Sequence, residues 1–196
     1  MIAARSLTRG VALATLGLSL GVVAPFAPPA LAATDGGDAT LAAVVAGEWR
    51  SPEQKSRDAA RRPAEVLAFW GLKPGASILE VQPGADGWWT QILAPYAART
   101  QGQYSATAPD LTNPAITPAA REMRAAFAAK FGDASRYGEV QLVNWGATAP
   151  PLPQNAYDFI LVSRSIHGWM RQEGMVERNF AELARALKPG GSLAIE

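Results

Sequence analysis

Residues 78–93 read ILEVQPGADGWWTQIL, and the stretch holds the parts of a ligand cradle. An apolar run (Ile78, Leu79, Val81) encloses one acid, Glu80. A Pro83-Gly84 turn follows, and Gly87 opens a run that can be helical. Glycine at Gly84 can take a positive φ and let backbone approach a ligand closely. The free N–H groups of a helix start favour polar or anionic groups. A plain strand-to-helix turn has the same pattern, so the stretch alone leaves both readings open. His167, the only histidine in the chain, is the second candidate. Its chemistry suits a general base or a hydrogen-bonding orienter near neutral pH. The plainer alternative is a loop histidine bonded to a backbone carbonyl. Arg164 suits an acidic ligand group, or equally a structural ion pair with Glu80 or Glu65. Trp88, Trp89 and Trp169 suit a pocket mouth, though buried aromatics are more often core. Arg57 and Asp58 are read as a pair on a solvated helix. With no cysteine and one histidine, thiol catalysis, thiolate metal sites and a His-rich metal centre are excluded.

Regular elements must position these residues. Ser51-Pro52-Glu53 starts a helix: Ser51 caps, Pro52 suits the first position, and Glu53 faces the positive end of the dipole. Pro63 breaks or restarts that helix, and Gly71 stops it. Strands are predicted over residues 76–81, 103–107, 140–144, 158–163 and from 192 on. Helices are predicted over 87–98, 117–131 and 175–187, with Met123, Phe127 and Phe131 on one face of the second. Lys188-Pro189-Gly190-Gly191 is a stop signal after the third helix. The run Phe159-Ile160-Leu161-Val162 is apolar on both faces and suits a central parallel strand. Strands alternating with helices imply a parallel sheet with right-handed crossovers. Ligands then sit beyond the C-terminal ends of the strands. Because residue 196 follows an apolar strand start, the sequence is expected to be a piece that further strands continue.

The 196 residues are 48% hydrophobic with net charge +1, which suits one domain with a real core and argues against disorder and nucleic-acid binding. The N-terminus reads as a separate object. Arg5 and Arg9 precede an apolar stretch of 13 residues, 11–23, then prolines and Ala30-Leu31-Ala32. That is a secretory signal over residues 1–32, cleaved before Ala33; the alternative, an uncleaved anchor, is disfavoured by the short apolar run. Residues 33–50 look like a loose, weakly helical leader, and 51–196 like the folded domain. The expected location is the periplasm or the exterior, with no stable membrane insertion after cleavage.

A set of ordered motifs goes further. GLKPGASILEVQPG, GWWTQILAPY, DFILVSRSIHGWM and ALKPGGSLAIE together resemble the class I S-adenosylmethionine-dependent methyltransferases. More narrowly, Arg57-Asp58, Pro63-Ala64-Glu65 and the run Arg164 to Trp169 resemble a bacterial group with secretion signals. The resemblance spans residues 51–196 and implies a three-layer Rossmann-like α/β fold with a short N-terminal helical cap. It implies S-adenosylmethionine as cofactor, with Glu80, Gly84 and Gly87 near its methionine part, Asp110 on the ribose, and Asn144 and Trp145 beside adenine. Ser163 and Arg164 would lie near the methyl group, and His167 is the candidate base. The usual acid-x-Gly-x-Gly-x-Gly is altered here, with Gln82 and Pro83 at the first glycine and its neighbour. The implied function is methyl transfer to a small-molecule acceptor. The alternative is an exported binding or scaffolding protein that keeps the fold without catalysis. A nicotinamide-dependent oxidoreductase is weaker, since Gly-x-Gly-x-x-Gly is missing.

Overall fold

The computed structural model describes residues 38–196. The expected signal peptide and its cleavage before Ala33 lie outside the described residues. The first element corrects an expectation. Residues 38–50 are not a loose leader: α1 (Ala39–Val45) buries Leu41 and Val44, at 3% and 0% exposure, in the main core. Asp38 caps it by accepting from the N–H groups of Thr40 and Leu41. The same carboxylate accepts from the Tyr96 hydroxyl, tying the cap to the body.

The helix predicted from Ser51 forms as three short pieces, α2 (Pro52–Lys55), α3 (Asp58–Arg61) and α4 (Pro63–Phe69). Ser51 and Gln54 make a reciprocal capping box. Arg62, at φ +44, bends the chain and Pro63 restarts it. Arg57 and Asp58 do not pair with each other. Asp58 takes both terminal nitrogens of Arg50, at 2.6 and 2.7 Å, and Arg50 is buried to 2% exposure. Arg57 reaches Asp86 at 2.9 Å.

The body is a five-stranded, all-parallel sheet in the order β3-β2-β1-β4-β5. Its strands are β1 (Ser77–Val81), β2 (Gln103–Pro109), β3 (Val140–Trp145), β4 (Tyr157–Val162) and β5 (Leu187–Ile195). Alternating side chains feed two cores. Ile78, Phe159 and Leu161 pack with α1, α4 and α5 (Thr90–Arg99). Leu79, Val81, Ile160 and Val162 pack with Leu183 and Ala186 of α9 (Met175–Ala186). The sheet is thus covered on both faces, which makes the three-layer α/β architecture and explains why β4 is apolar throughout. The helices α6 (Pro118–Lys130), α7 (Ala134–Tyr137) and α8 (Ile166–Trp169) complete the described elements. None of the described helices is long and apolar enough to cross a membrane.

Two boundaries differ clearly from expectation, and so does the exposure of one residue. The helix after β1 starts at Thr90, because residues 87–89 are still turning. β5 starts at Leu187 and runs through the Lys-Pro-Gly-Gly stop, with a register irregularity opposite β4 between Tyr157 and Phe159. Met123 is 57% exposed, while Phe127 and Phe131 of the same predicted face are buried.

Removing the Asp58 carboxylate leaves the Arg50 charge buried without its partner, which is costlier than replacing the pair by apolar groups. Asp58→Ala is expected to destabilise the protein by about 3 kcal/mol, and Arg50→Met by clearly less. Urea unfolding followed by tryptophan fluorescence checks this; equal, small losses would mean that the pair does not hold the cap.

Candidate functional site

Strand order reverses between β1 and β4, and in open parallel sheets ligands bind at that point beyond the strand ends. A cavity of about 330 Å³ lies there, within the size range of small-ligand pockets. Three segments line it: Gln82, Pro83 and Gly84 after β1, Ser163, Arg164 and Ser165 after β4, and Arg57 and Arg61 from the cap. Glu80, Asp86, Trp88 and Trp89 complete the wall.

Glu80 sits at the base, 2% exposed. One of its oxygens accepts from the hydroxyls of Tyr104, at 2.6 Å, and Thr90, at 2.9 Å. Burial raises its pKa from 4.5 to about 7, the two hydroxyl bonds oppose the rise, and the negative charges of Asp86 and Glu196 add to it. Burial, with the neighbouring Glu80 charge, likewise pushes the Tyr104 hydroxyl well above its ordinary value. Tyr104 and Thr90 were not expected at the site. The readable signal was a polar side chain on an otherwise apolar face of β2 and of α5.

The loop after β1 turns in an unexpected way. Gly84 is not among the positive-φ residues; the left-handed positions are Gln82, at φ +50, and Gly87, at φ +57. Gln82 is held there at both ends. Its backbone N–H donates to Thr107 Oγ1 at 2.7 Å, and its side-chain oxygen accepts from Trp169 Nε1 at 2.8 Å. Gly87 needs its missing side chain, because a Cβ there would lie 2.3 Å from the Phe131 ring. Its N–H donates to the Gly84 carbonyl at 2.8 Å, so it is not a free donor for a ligand. The Asp86 carbonyl accepts from Gln91 and Lys130 and pins the outer arm of the loop.

The expected site residues thus divide. Glu80, Gly84, Ser163 and Arg164 meet at the cavity. Gly87 lies behind it. Asp110, after β2, accepts from the Thr112 N–H and hydroxyl on Oδ1 and from Thr148 on Oδ2 at 3.3 Å. The Thr112 hydroxyl bond, foremost among these, holds its pKa below the ordinary value. Asn144 Oδ1 accepts from Arg124 at 2.8 Å, and the same guanidinium bonds the carbonyls of Pro109 and Leu142. Trp145 packs in the second core. None of these three lines the cavity. His167 is exposed on the one-turn helix α8, lies outside the cavity lining, and among the described residues bonds no backbone carbonyl through its side chain. Arg164, at φ +57, pairs with neither Glu80 nor Glu65 among the described residues. Trp88, Trp89 and Trp169 are core residues at 2 to 4% exposure, and the first two also face the cavity.

Glu196 was also not foreseen. Its Oε2 accepts from Ser163 at 2.6 Å and from Trp89 Nε1 at 2.8 Å. β5 brings it alongside Ser163, which local sequence cannot reveal.

Residues 79–195 match a family described as methyltransferase domain. Among solved structures the chain is similar to a SAM dependent methyltransferase from Aquifex aeolicus, with 25% identity, 75% of this chain and 68% of that chain covered, and a TM-score of 0.52. A protein from Pyrococcus horikoshii OT3 is 18% identical, with coverages of 76% and 59% and a TM-score of 0.49. A SAM-dependent methyltransferase from Methanosarcina mazei is 19% identical, with coverages of 66% and 55% and a TM-score of 0.46. The chain therefore spans little more than half the length of the last two. No curated protein matches it.

A carboxyl whose pKa is raised on folding binds its proton more tightly in the folded state. Its stabilising effect is therefore full below 4.5 and is lost as the pH rises through about 7. Urea unfolding at pH 4.5 and pH 8 is expected to show a Glu80-dependent loss on the order of 3 kcal/mol, absent in Glu80→Gln. A parallel pH response in the two proteins would show that Glu80 is not the group responsible.

Proposed function

The chain belongs to the methyltransferase domain family, and on that premise we propose that it transfers a methyl group from S-adenosylmethionine to a small-molecule acceptor. The observation that carries this reading is the polar cavity at the reversal of strand order, with Glu80 at its base and Gly84 and Ser163 on its rim. The likeness to the Aquifex aeolicus enzyme supports the choice of cofactor.

The residues fit the amino-acid half of that cofactor. Gly84 leaves room on the cavity side: an added Cβ would meet only the Asp86 carboxylate, at 3.3 Å. The buried Glu80 carboxyl is within the lining and suits a cationic centre once ionised. On the nucleoside side Asp110 keeps acceptor capacity, since Oδ2 takes only the Thr148 hydroxyl, at 3.3 Å. Asn144 and Trp145 stand at the end of β3, where the adenine would lie, with Gly87 supporting the turn from behind.

The bound cofactor supplies a methyl group already activated on a sulfonium. The protein's part is therefore alignment and exclusion of water. Trp88 and Trp89 form the apolar part of the wall, Ser163 is held by Glu196, and Arg164 offers its guanidinium to an acidic group. His167 has no part in this arrangement. The non-catalytic alternative has no observation of its own in its favour.

We also propose that the protein is exported, as in the bacterial group with secretion signals that it resembles. The support is the sequence of residues 1–32: two arginines, an apolar stretch and Ala30-Leu31-Ala32.

Calorimetric titration of the full chain with S-adenosylmethionine and S-adenosylhomocysteine tests the first proposal. Saturable binding is expected, weakened about tenfold or more by Gly84→Val and by Asp110→Ala. No heat at millimolar ligand, from folded protein, would remove the methyltransferase reading. A reporter active only in the periplasm, fused after Ala33, tests export; it is expected to be active, and inactive when residues 11–23 are interrupted by charges.

A further inference from the structure

The family match begins at residue 79, yet two of the three arginines lining the cavity come from earlier in the chain. Arg57 and Arg61 stand at the start and end of α3, and Arg164 follows β4. Their charges are unequally matched. Arg57 is paired with Asp86 at 2.9 Å. Arg61 rests on Trp88, its guanidinium carbon 4.5 Å from the ring centroid. Arg61 also makes a long ion pair with Glu196 Oε1 at 3.8 Å, beyond hydrogen-bond reach, so its N–H donors are not taken by it. Arg164 makes no ion pair among the described residues. The acids that face them are Asp86, already paired, Glu196, whose Oε2 serves Ser163 and Trp89 while its Oε1 makes the long ion pair with Arg61, and Glu80, which is buried with Tyr104 and Thr90. Two guanidiniums are therefore left facing one cavity with donors to spare.

Such groups suit one kind of ligand. A guanidinium presents a planar fork of N–H donors that matches the oxygens of a carboxylate or phosphate. Stacking on Trp88 holds the Arg61 fork in place without using its donors. We infer that the methyl acceptor is an anion, a small molecule with a carboxylate or phosphate group gripped by Arg61 and Arg164. This inference rests on the methyltransferase reading. The oxyanion is a handle and not the nucleophile, so no bond to it forms or breaks. Because the cap supplies Arg61, acceptor choice is set by a segment outside the family's matched region.

The test is titration of the full chain with inorganic phosphate and, separately, with succinate, read by tryptophan fluorescence with and without saturating S-adenosylhomocysteine. Both anions are expected to saturate. Affinity is expected to fall about tenfold in Arg61→Gln and in Arg164→Gln and less in Arg61→Lys, while S-adenosylhomocysteine affinity changes less than about twofold. Failure of both anions to saturate, or equal affinity in the variants, overturns the inference. So does competition between the anions and S-adenosylhomocysteine, which would give the arginines to the cofactor's own carboxylate. Anion binding of the expected kind in a protein that does not bind S-adenosylhomocysteine supports the anion site and overturns only the methyl-transfer reading. Thermal unfolding verifies each variant, and the exposed Arg164 keeps the test standing should Arg61→Gln fail to fold.

Discussion

One guanidinium with no access to water decides where the cap lies. Arg50 can leave bulk solvent only because Asp58 accepts from both of its terminal nitrogens and the Val45 carbonyl takes a further bond. A buried charge must be matched wherever it goes, so the segment from α1 to α3 has one acceptable seat. Trp88 reinforces that seat. Its ring lies 5.4 Å from Arg50 and 4.5 Å from Arg61, and its Nε1 donates to the Gln54 carbonyl at 3.0 Å. Trp88 also belongs to the turn after β1. Cap and cradle therefore form one mechanical piece, and the arginines at the cavity mouth are placed by a contact made behind them.

The two halves of the strand-end surface differ in character. Around β1 and β4 it is open, polar and concave. Around β2 and β3 the polar groups are engaged by protein: Arg124 bridges Pro109, Leu142 and Asn144 with a single guanidinium, and Thr112 and Thr148 bond Asp110, while a smaller cavity of about 170 Å³ lies beside Thr107, Ala108 and Pro109. The bonds around Asp110 are not equal. Those to Thr112 are short and local, whereas Thr148 sits at 3.3 Å on an exposed residue. A hydroxyl from a ligand meets least resistance at that second oxygen.

Much of the fold was legible because period and punctuation agree. The apolar run of β4 needs cover on both faces and has it. Ser51-Pro52 and Pro63 mark helix starts that form where expected. Glu80, Gly84, Ser163 and Arg164, expected at the ends of β1 and β4, line one cavity. What was hidden depends on partners distant in sequence. Gln82 accepts a conformation that suits glycine because Thr107 and Trp169 hold it from two other elements. Asp58 looked solvated beside Arg57 until Arg50, eight residues back, claimed it. Asp110 and Asn144 occupy the expected strand ends, but their carboxylate and amide are engaged by neighbours that no spacing rule identifies. Residues 38–50 looked loose because α1 is short and weakly patterned; its order comes from burying Leu41 and Val44 and from Asp38 meeting Tyr96.

The strand order also bears on how the molecule folds. β1 is central, flanked by β2 and β4. β2 and β3 follow β1 in the chain before β4, so these three can pair first. The other edge of β1 then stays unpaired until Tyr157–Val162 dock, and the Ser77 N–H waits to donate to the Asp158 carboxylate. An apolar strand with one bare edge is an invitation to wrong partners. During folding, the vulnerable interval is therefore the one before β4 docks on β1. The edge exposed in that interval belongs to the centre of the sheet, not to its margins.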